Sequence, residues 1–177
     1  MRENSNIKKI RLIMEEIGRS MSKPVNVYLT GGATAVLFGM RKSTIDVDLK
    51  FDPDLSEKFD VIRDIKETLN ANIELASPDD FIPPLPDWKE RSIFIAQHGK
   101  VKFYHYDLYS QVLAKIERGW EQDMEDARNF IMHSVDFGKL IQLFYSVEKD
   151  FMRYPAINFR QLEKRLMEFR HETAKTK

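Results

Sequence analysis

Two short pieces of the chain carry residues that can do chemistry together. Gly31 and Gly32 close the run VNVYLT, and Asp46 and Asp48 lie inside STIDVDLKF. In the second piece Ile45, Val47, Leu49 and Phe51 alternate with Asp46, Asp48 and Lys50, which predicts a strand whose residues two apart share a face. Asp46 and Asp48 then project side by side. Two such carboxylates repel unless a basic neighbour or a divalent cation compensates them, and hard cations such as Mg²⁺ or Mn²⁺ take oxygen ligands of this kind. Asp-x-Asp alone also suits the wet face of an edge strand. The glycines add a second half, because a glycine pair between a strand and a helix lets an anion approach backbone N–H groups with no Cβ in the way. A simple tight turn is the competing reading.

Other glycine chemistries fail on their own terms. No Lys-Ser or Lys-Thr follows the pair, which removes a P-loop, and the spaced glycines of a dinucleotide-binding fingerprint are missing. The chain has no cysteine, so thiolate nucleophiles, thiolate metal sites and disulfides are excluded. His98, His105, His133 and His171 lack the spacing of a metal cluster and read as structural.

The order Leu29-Thr30-Gly31-Gly32, thirteen residues, then Asp46-Val47-Asp48 resembles the signature of the nucleotidyltransferase superfamily that includes DNA polymerase β and kanamycin nucleotidyltransferase. Within it the chain looks closest to the AbiEii-like and minimal nucleotidyltransferases, some of which are toxins of toxin–antitoxin pairs. The resemblance spans roughly residues 25 to 130. It implies a third carboxylate on a neighbouring strand, for which NIELAS offers Glu74, with Asp79, Asp80 and Asp107 as alternatives. It also implies a Lys, an Arg and an Asp pair in a helical segment beside the active site, which Lys115, Arg118, Asp123 and Asp126 match. A surface network of ion pairs is the other reading of those four charges. Arg41, Lys42 and Thr44, between the glycines and the acidic strand, are further candidates for binding phosphate.

These residues need elements to position them. Ile7, Ile10, Leu12, Ile13, Met14 and Ile17 predict an amphipathic helix ending near Gly18, followed by the strand VNVYLT and a short buried helix in ATAVLFGM. The acidic strand comes next, then a helix through LSEKFDVIRDIKETLN capped near Asp54, and a short strand in ANIELAS. PDDFIPPLPDW is a proline-broken loop, and SIFIAQHGKVKFYHYD reads as two strands turning at His98-Gly99. From Leu108 onward the pattern is helical. The expected fold is α+β, a nucleotidyltransferase-like mixed sheet flanked by helices and followed by a helical C-terminal part, with lobes at 1–107 and 108–177.

The whole chain sets outer bounds. Its 177 residues suffice for one catalytic lobe with a helical extension, and 28 basic against 28 acidic residues remove any global charge argument for wrapping a nucleic-acid duplex. The aromatics of FIPPLPDW and FYHYDLY read as core, and the basic residues Arg160, Lys164, Arg165 and Arg170 as a solvated helix face. The first residues do not read as an export signal and no apolar run spans a membrane, so a reducing cytoplasm is expected and no membrane partner. The resemblance implies metal-dependent transfer of a nucleoside monophosphate from an NTP, such as ATP, to an RNA acceptor such as tRNA or to a protein, with a cognate antitoxin as a further partner. A nucleotide- or partner-binding module without turnover is the alternative.

Overall fold

A computed structural model describes residues 3–175 and divides the chain into two compact units, Met1–Ser77 with Ser92–Tyr106, and Pro78–Arg91 with Asp107–Lys177. The first unit starts with β1 (Ser5–Asn6) and α1 (Ile7–Ser20), whose first turn is capped by the Asn6 side chain accepting from Lys9 N at 3.0 Å. The helix runs two residues past Gly18, because that glycine lies against His98, where a Cβ would stand 2.3 Å from the histidine's own. Next come β2 (Val25–Thr30), α2 (Gly31–Leu37), β3 (Ser43–Thr44), β4 (Asp46–Asp52), α3 (Lys58–Thr68) and β5 (Asn72–Glu74). The hairpin β6 (Ile93–His98) and β7 (Val101–His105) completes the unit.

Five strands form one mixed sheet in the order β5-β4-β2-β7-β6. The β5–β4 and β2–β7 pairs are parallel, and β4–β2 and β7–β6 antiparallel. Period-two alternation decides what each face does. Val25, Val27 and Leu29 of β2, Val47, Leu49 and Phe51 of β4, and Val101 and Phe103 of β7 join Ile10, Ile13, Ile17, Ile62 and Ile65 of the helices in one buried core. Burying each such side chain contributes roughly 1.5–3 kcal/mol. The opposite face takes the alternate residues, Asp46, Asp48 and Lys50 among them, so the hydrophobic set fixes which way the acids point.

Three local outcomes differ from the sequence reading. The predicted acidic strand is two elements, with β3 breaking off to pair with β1 (Ser5 opposite Thr44) and exposed Ile45 between them. Gly31 and Gly32 form the first turn of α2 instead of a separate turn before it. Asp54 is no cap: α3 starts after Glu57, and the Asp54 carboxylate accepts from the Lys58 ammonium.

The second unit holds a 3₁₀ turn at Pro78–Asp80, inside the proline-rich loop, and α4 (Trp88–Arg91), which begins at the loop's last residue. It continues through α5 (Leu108–Arg118), α6 (Glu121–His133), α7 (Phe137–Ser146), a 3₁₀ stretch at Glu148–Arg153 and α8 (Phe159–Lys175). Phe144 stacks on Phe159 at 4.6 Å between centroids and meets Phe151 edge-on, which anchors the 3₁₀ stretch and α8 to α7. No helix among the described residues is long and apolar enough to cross a membrane.

Candidate active site

The acidic row is built by strand register. Thr30 on β2 lies opposite Asp48, while on the other side Asp46 pairs with Asn72 and Asp48 with Glu74. Partners in a parallel pair present their side chains on the same face, so Asp46, Asp48, Asn72 and Glu74 occupy the corners of a square on the sheet. Glu74 is exposed, and Asp46 and Asp48 are half-buried. The Asn72 amide donates to Asp46 Oδ1 and lies 3.5 Å from Glu74 Oε1. Among the described residues no three His, Cys, Asp or Glu side chains gather closely enough to cage a metal by themselves.

The glycines meet this row directly. Gly31 has φ of +61°, a left-handed conformation that glycine adopts without penalty, and a Cβ there would stand 2.7 Å from Asp48 Oδ2. A Cβ on Gly32 would stand 2.1 Å from Thr44 Oγ1 and 3.1 Å from a terminal nitrogen of Arg41. The volume that the two absent side chains leave is thus filled by the Asp48 carboxylate on one residue and by Thr44 with the Arg41 guanidinium on the next. Thr44 Oγ1 donates to the Asp46 carbonyl at 3.0 Å, which ties the β3 end to the start of the acidic strand. Lys42 is exposed between them.

The same sheet face continues into an aromatic row. Tyr28 pairs across the sheet with Lys50 and Tyr104, and its ring stacks on that of Tyr104 at 5.4 Å. Burial, and then the Asp52 carboxylate, push the Tyr28 phenol above its ordinary pKa, so it stays a neutral group on this face. On the core face, burial depresses His105 to about 4, and its Nδ1 lies 3.4 Å from Thr34 Oγ1. Because the Thr34 hydroxyl already donates to the Leu29 carbonyl, the neutral ring donates to it, a structural role.

The alternatives for the third acid fall in the second unit. Asp107 is buried at the N-terminus of α5, where it accepts from the Tyr109 and Ser110 N–H groups and takes a two-pronged ion pair from Arg91 at 3.0 and 2.9 Å. Asp79 and Asp80 lie in the Pro78–Asp80 turn. Glu74 is the acid that stands beside Asp48 on the sheet.

The helical charges form a buried network instead of a surface one. The Lys115 ammonium donates to Asp123 Oδ1 at 3.0 Å and Asp126 Oδ2 at 2.9 Å, and all three side chains are under a tenth exposed. Arg118 grips the Asp123 carboxylate at 2.7–2.9 Å while its own side chain stays 40% exposed. Gly119, at φ +70°, turns the chain between α5 and α6 so that the two pairs of charges face each other.

Against this geometry, residues 6–176 match the family described as "Nucleotidyltransferase of unknown function (DUF6036)". The chain belongs to this nucleotidyltransferase family. No curated protein and no solved structure matches it. The nucleotidyltransferase identity agrees with the motif order read from the sequence, and the feature that reading missed is Asn72. Its signal was present in NIE: an asparagine two residues before Glu74 on a strand must share its face.

Proposed function

We propose that this chain is a metal-dependent transferase that moves a nucleoside monophosphate from an NTP to a hydroxyl of an RNA or protein acceptor. The observation that carries the reading is the seating of Asp48 against Gly31, with Asp46 on the same strand face and Glu74 in register beside it. The donor set fits Mg²⁺ or Mn²⁺. It is all oxygen, and Mg²⁺ is ordinarily held by one or two carboxylates together with substrate phosphates rather than by a complete protein cage. Asp46 and Asp48 would hold the ion, with Glu74 beside them, and when bound it supplies charge neutralisation to the triphosphate and activation of the attacking oxygen.

The remaining work falls to the chain itself. Arg41, packed on Gly32, offers a guanidinium to triphosphate oxygens that approach the turn, and Lys42 adds a second positive charge. Thr44 acts through position, holding the Asp46 backbone where its hydroxyl bonds it. The acceptor hydroxyl attacks the α-phosphorus in line; the new P–O bond forms as the bond to the bridging oxygen breaks, and pyrophosphate leaves with that electron pair. Glu74, the exposed acid of the row, takes the hydroxyl proton. On the helical unit, Arg118 is the network cation whose side chain stays partly exposed, held by the Asp123 carboxylate that also accepts from Lys115. The AbiEii-like resemblance supports a toxin role with a cognate antitoxin, in the cytoplasm.

The spread of the acids favours a second reading, a nucleotide-binding module without turnover. One experiment separates the two. Protein with Mg²⁺, each α-labelled NTP, and total RNA or protein extract is expected to yield a labelled acceptor, lost in Asp46→Ala/Asp48→Ala. Nucleotide binding with no labelled acceptor under Mg²⁺ or Mn²⁺ selects the module.

A further inference from the structure

The square of polar side chains on the β4–β5 pair has three acids and one amide, and the amide is engaged with two of the acids. An asparagine amide carries two N–H donors. Here one is directed at Asp46 Oδ1 and the nitrogen lies 3.5 Å from Glu74 Oε1, so this side chain, diagonal to Asp48, bridges the two acids that flank Asp48 on the square. Two consequences follow from elementary electrostatics. The bond to Oδ1 selects one orientation of the Asp46 carboxylate and leaves Oδ2 outside that bond. A neutral fourth corner also keeps the square at three formal negative charges, where a fourth carboxylate would add repulsion at about 5 Å spacing.

We propose that Asn72 is the positioning residue of the cation site, fixing the Asp46 carboxylate for metal and tethering the longer Glu74 arm to the row. This rests on the nucleotidyltransferase reading of Asp46 and Asp48. Outer groups that hydrogen-bond a ligating carboxylate set its orientation, and their removal ordinarily costs about 10–100-fold in metal affinity. Asn72 has the chemistry of such a group: it donates to the acid, carries no charge, and sits on a strand whose register with β4 fixes its distance.

The test is Mn²⁺ binding followed by electron paramagnetic resonance, in the presence of an α,β-methylene NTP analogue that blocks turnover. Wild type, Asn72→Ala, Asn72→Val, Asn72→Gln and Asp46→Asn/Asp48→Asn are compared, each with its melting temperature. Valine favours strand conformation, so Asn72→Val keeps β5 paired should the alanine variant fray. The expected result is about tenfold or greater weakening in Asn72→Ala and Asn72→Val at a nearly unchanged melting temperature, an altered bound-Mn²⁺ spectrum, and partial recovery in Asn72→Gln, which keeps an amide on a longer arm. Wild-type affinity and spectrum in both alanine and valine variants would overturn the role of Asn72 while leaving the site standing. Mn²⁺ uptake that Asp46→Asn/Asp48→Asn does not diminish would overturn the site itself.

Discussion

Asp48 fills the place where a side chain at position 31 would be: its Oδ2 lies 2.7 Å from the Cβ that Gly31 lacks, at a residue with φ of +61°. Gly31→Ala therefore meets backbone strain and a collision with the acid at once. It is expected to cost about 1–3 kcal/mol of stability and, by displacing the carboxylate, about a hundredfold in nucleotidyl transfer. Gly39 is the internal control, since it shares a positive φ of +75° but has nothing within 4 Å. Gly39→Ala, with strain but no collision, is expected to lose less stability and keep transfer, a contrast read from denaturant midpoints and initial rates.

Gly32 and Thr44 are expected to be energetically coupled. The Gly32→Ala methyl would fall 2.1 Å from Thr44 Oγ1 and 2.8 Å from its Cβ, so the alanine is harmful because of what faces it. Thr44→Gly should relieve that collision. The double-mutant cycle is expected to give a coupling energy of about 0.5–3 kcal/mol, whereas strict additivity would mean that the contact does not decide the cost.

The motif order and the strand periodicity were legible in the sequence because both are local. Val47, Leu49 and Phe51 had to face a core, which left Asp46 and Asp48 on the other face whatever the tertiary fold. Register was not legible, because it is set by strands distant in sequence: only the β4–β5 pairing shows that Glu74 stands beside Asp48 and that Asn72 reaches Asp46. The break of the acidic strand at Ile45 escaped for the same reason, since it depends on β1 pairing with β3. Spacing on α5 and α6 showed that Lys115 and Arg118 share one face and Asp123 and Asp126 another. Whether those faces were wet or buried depended on how the helices turn on each other at Gly119.

Burial makes the helical network a stability element. Removing the Lys115 ammonium leaves the Asp123 and Asp126 carboxylates buried without it, and breaking a buried pair in this way costs about 3–5 kcal/mol. Lys115→Met is expected to fall in that range by urea unfolding. Arg118→Ala, whose side chain is 40% exposed, is expected to cost clearly less in the same measurement.

His105 gives a pH dependence with a definite sign. Its pKa of about 4 in the folded chain lies below the ordinary 6.5, so between those values the unfolded chain binds a proton that the folded chain does not. Stability is complete above about pH 6.5 and falls as the pH drops towards 4, by about 3 kcal/mol from this group. His105→Gln is expected to flatten that part of the profile, measured as unfolding free energy against pH.

The central claim is tested most directly by following the two ends of the triphosphate. Protein is incubated with Mg²⁺, the acceptor fraction, and NTP labelled at either the α- or the γ-phosphorus, for wild type and for Asp48→Asn. Nucleotidyl transfer predicts α-label on the acceptor, γ-label only in released pyrophosphate, and at least about a hundredfold loss of both in Asp48→Asn. γ-label on the acceptor, or α-label transferred equally well by Asp48→Asn, would contradict it.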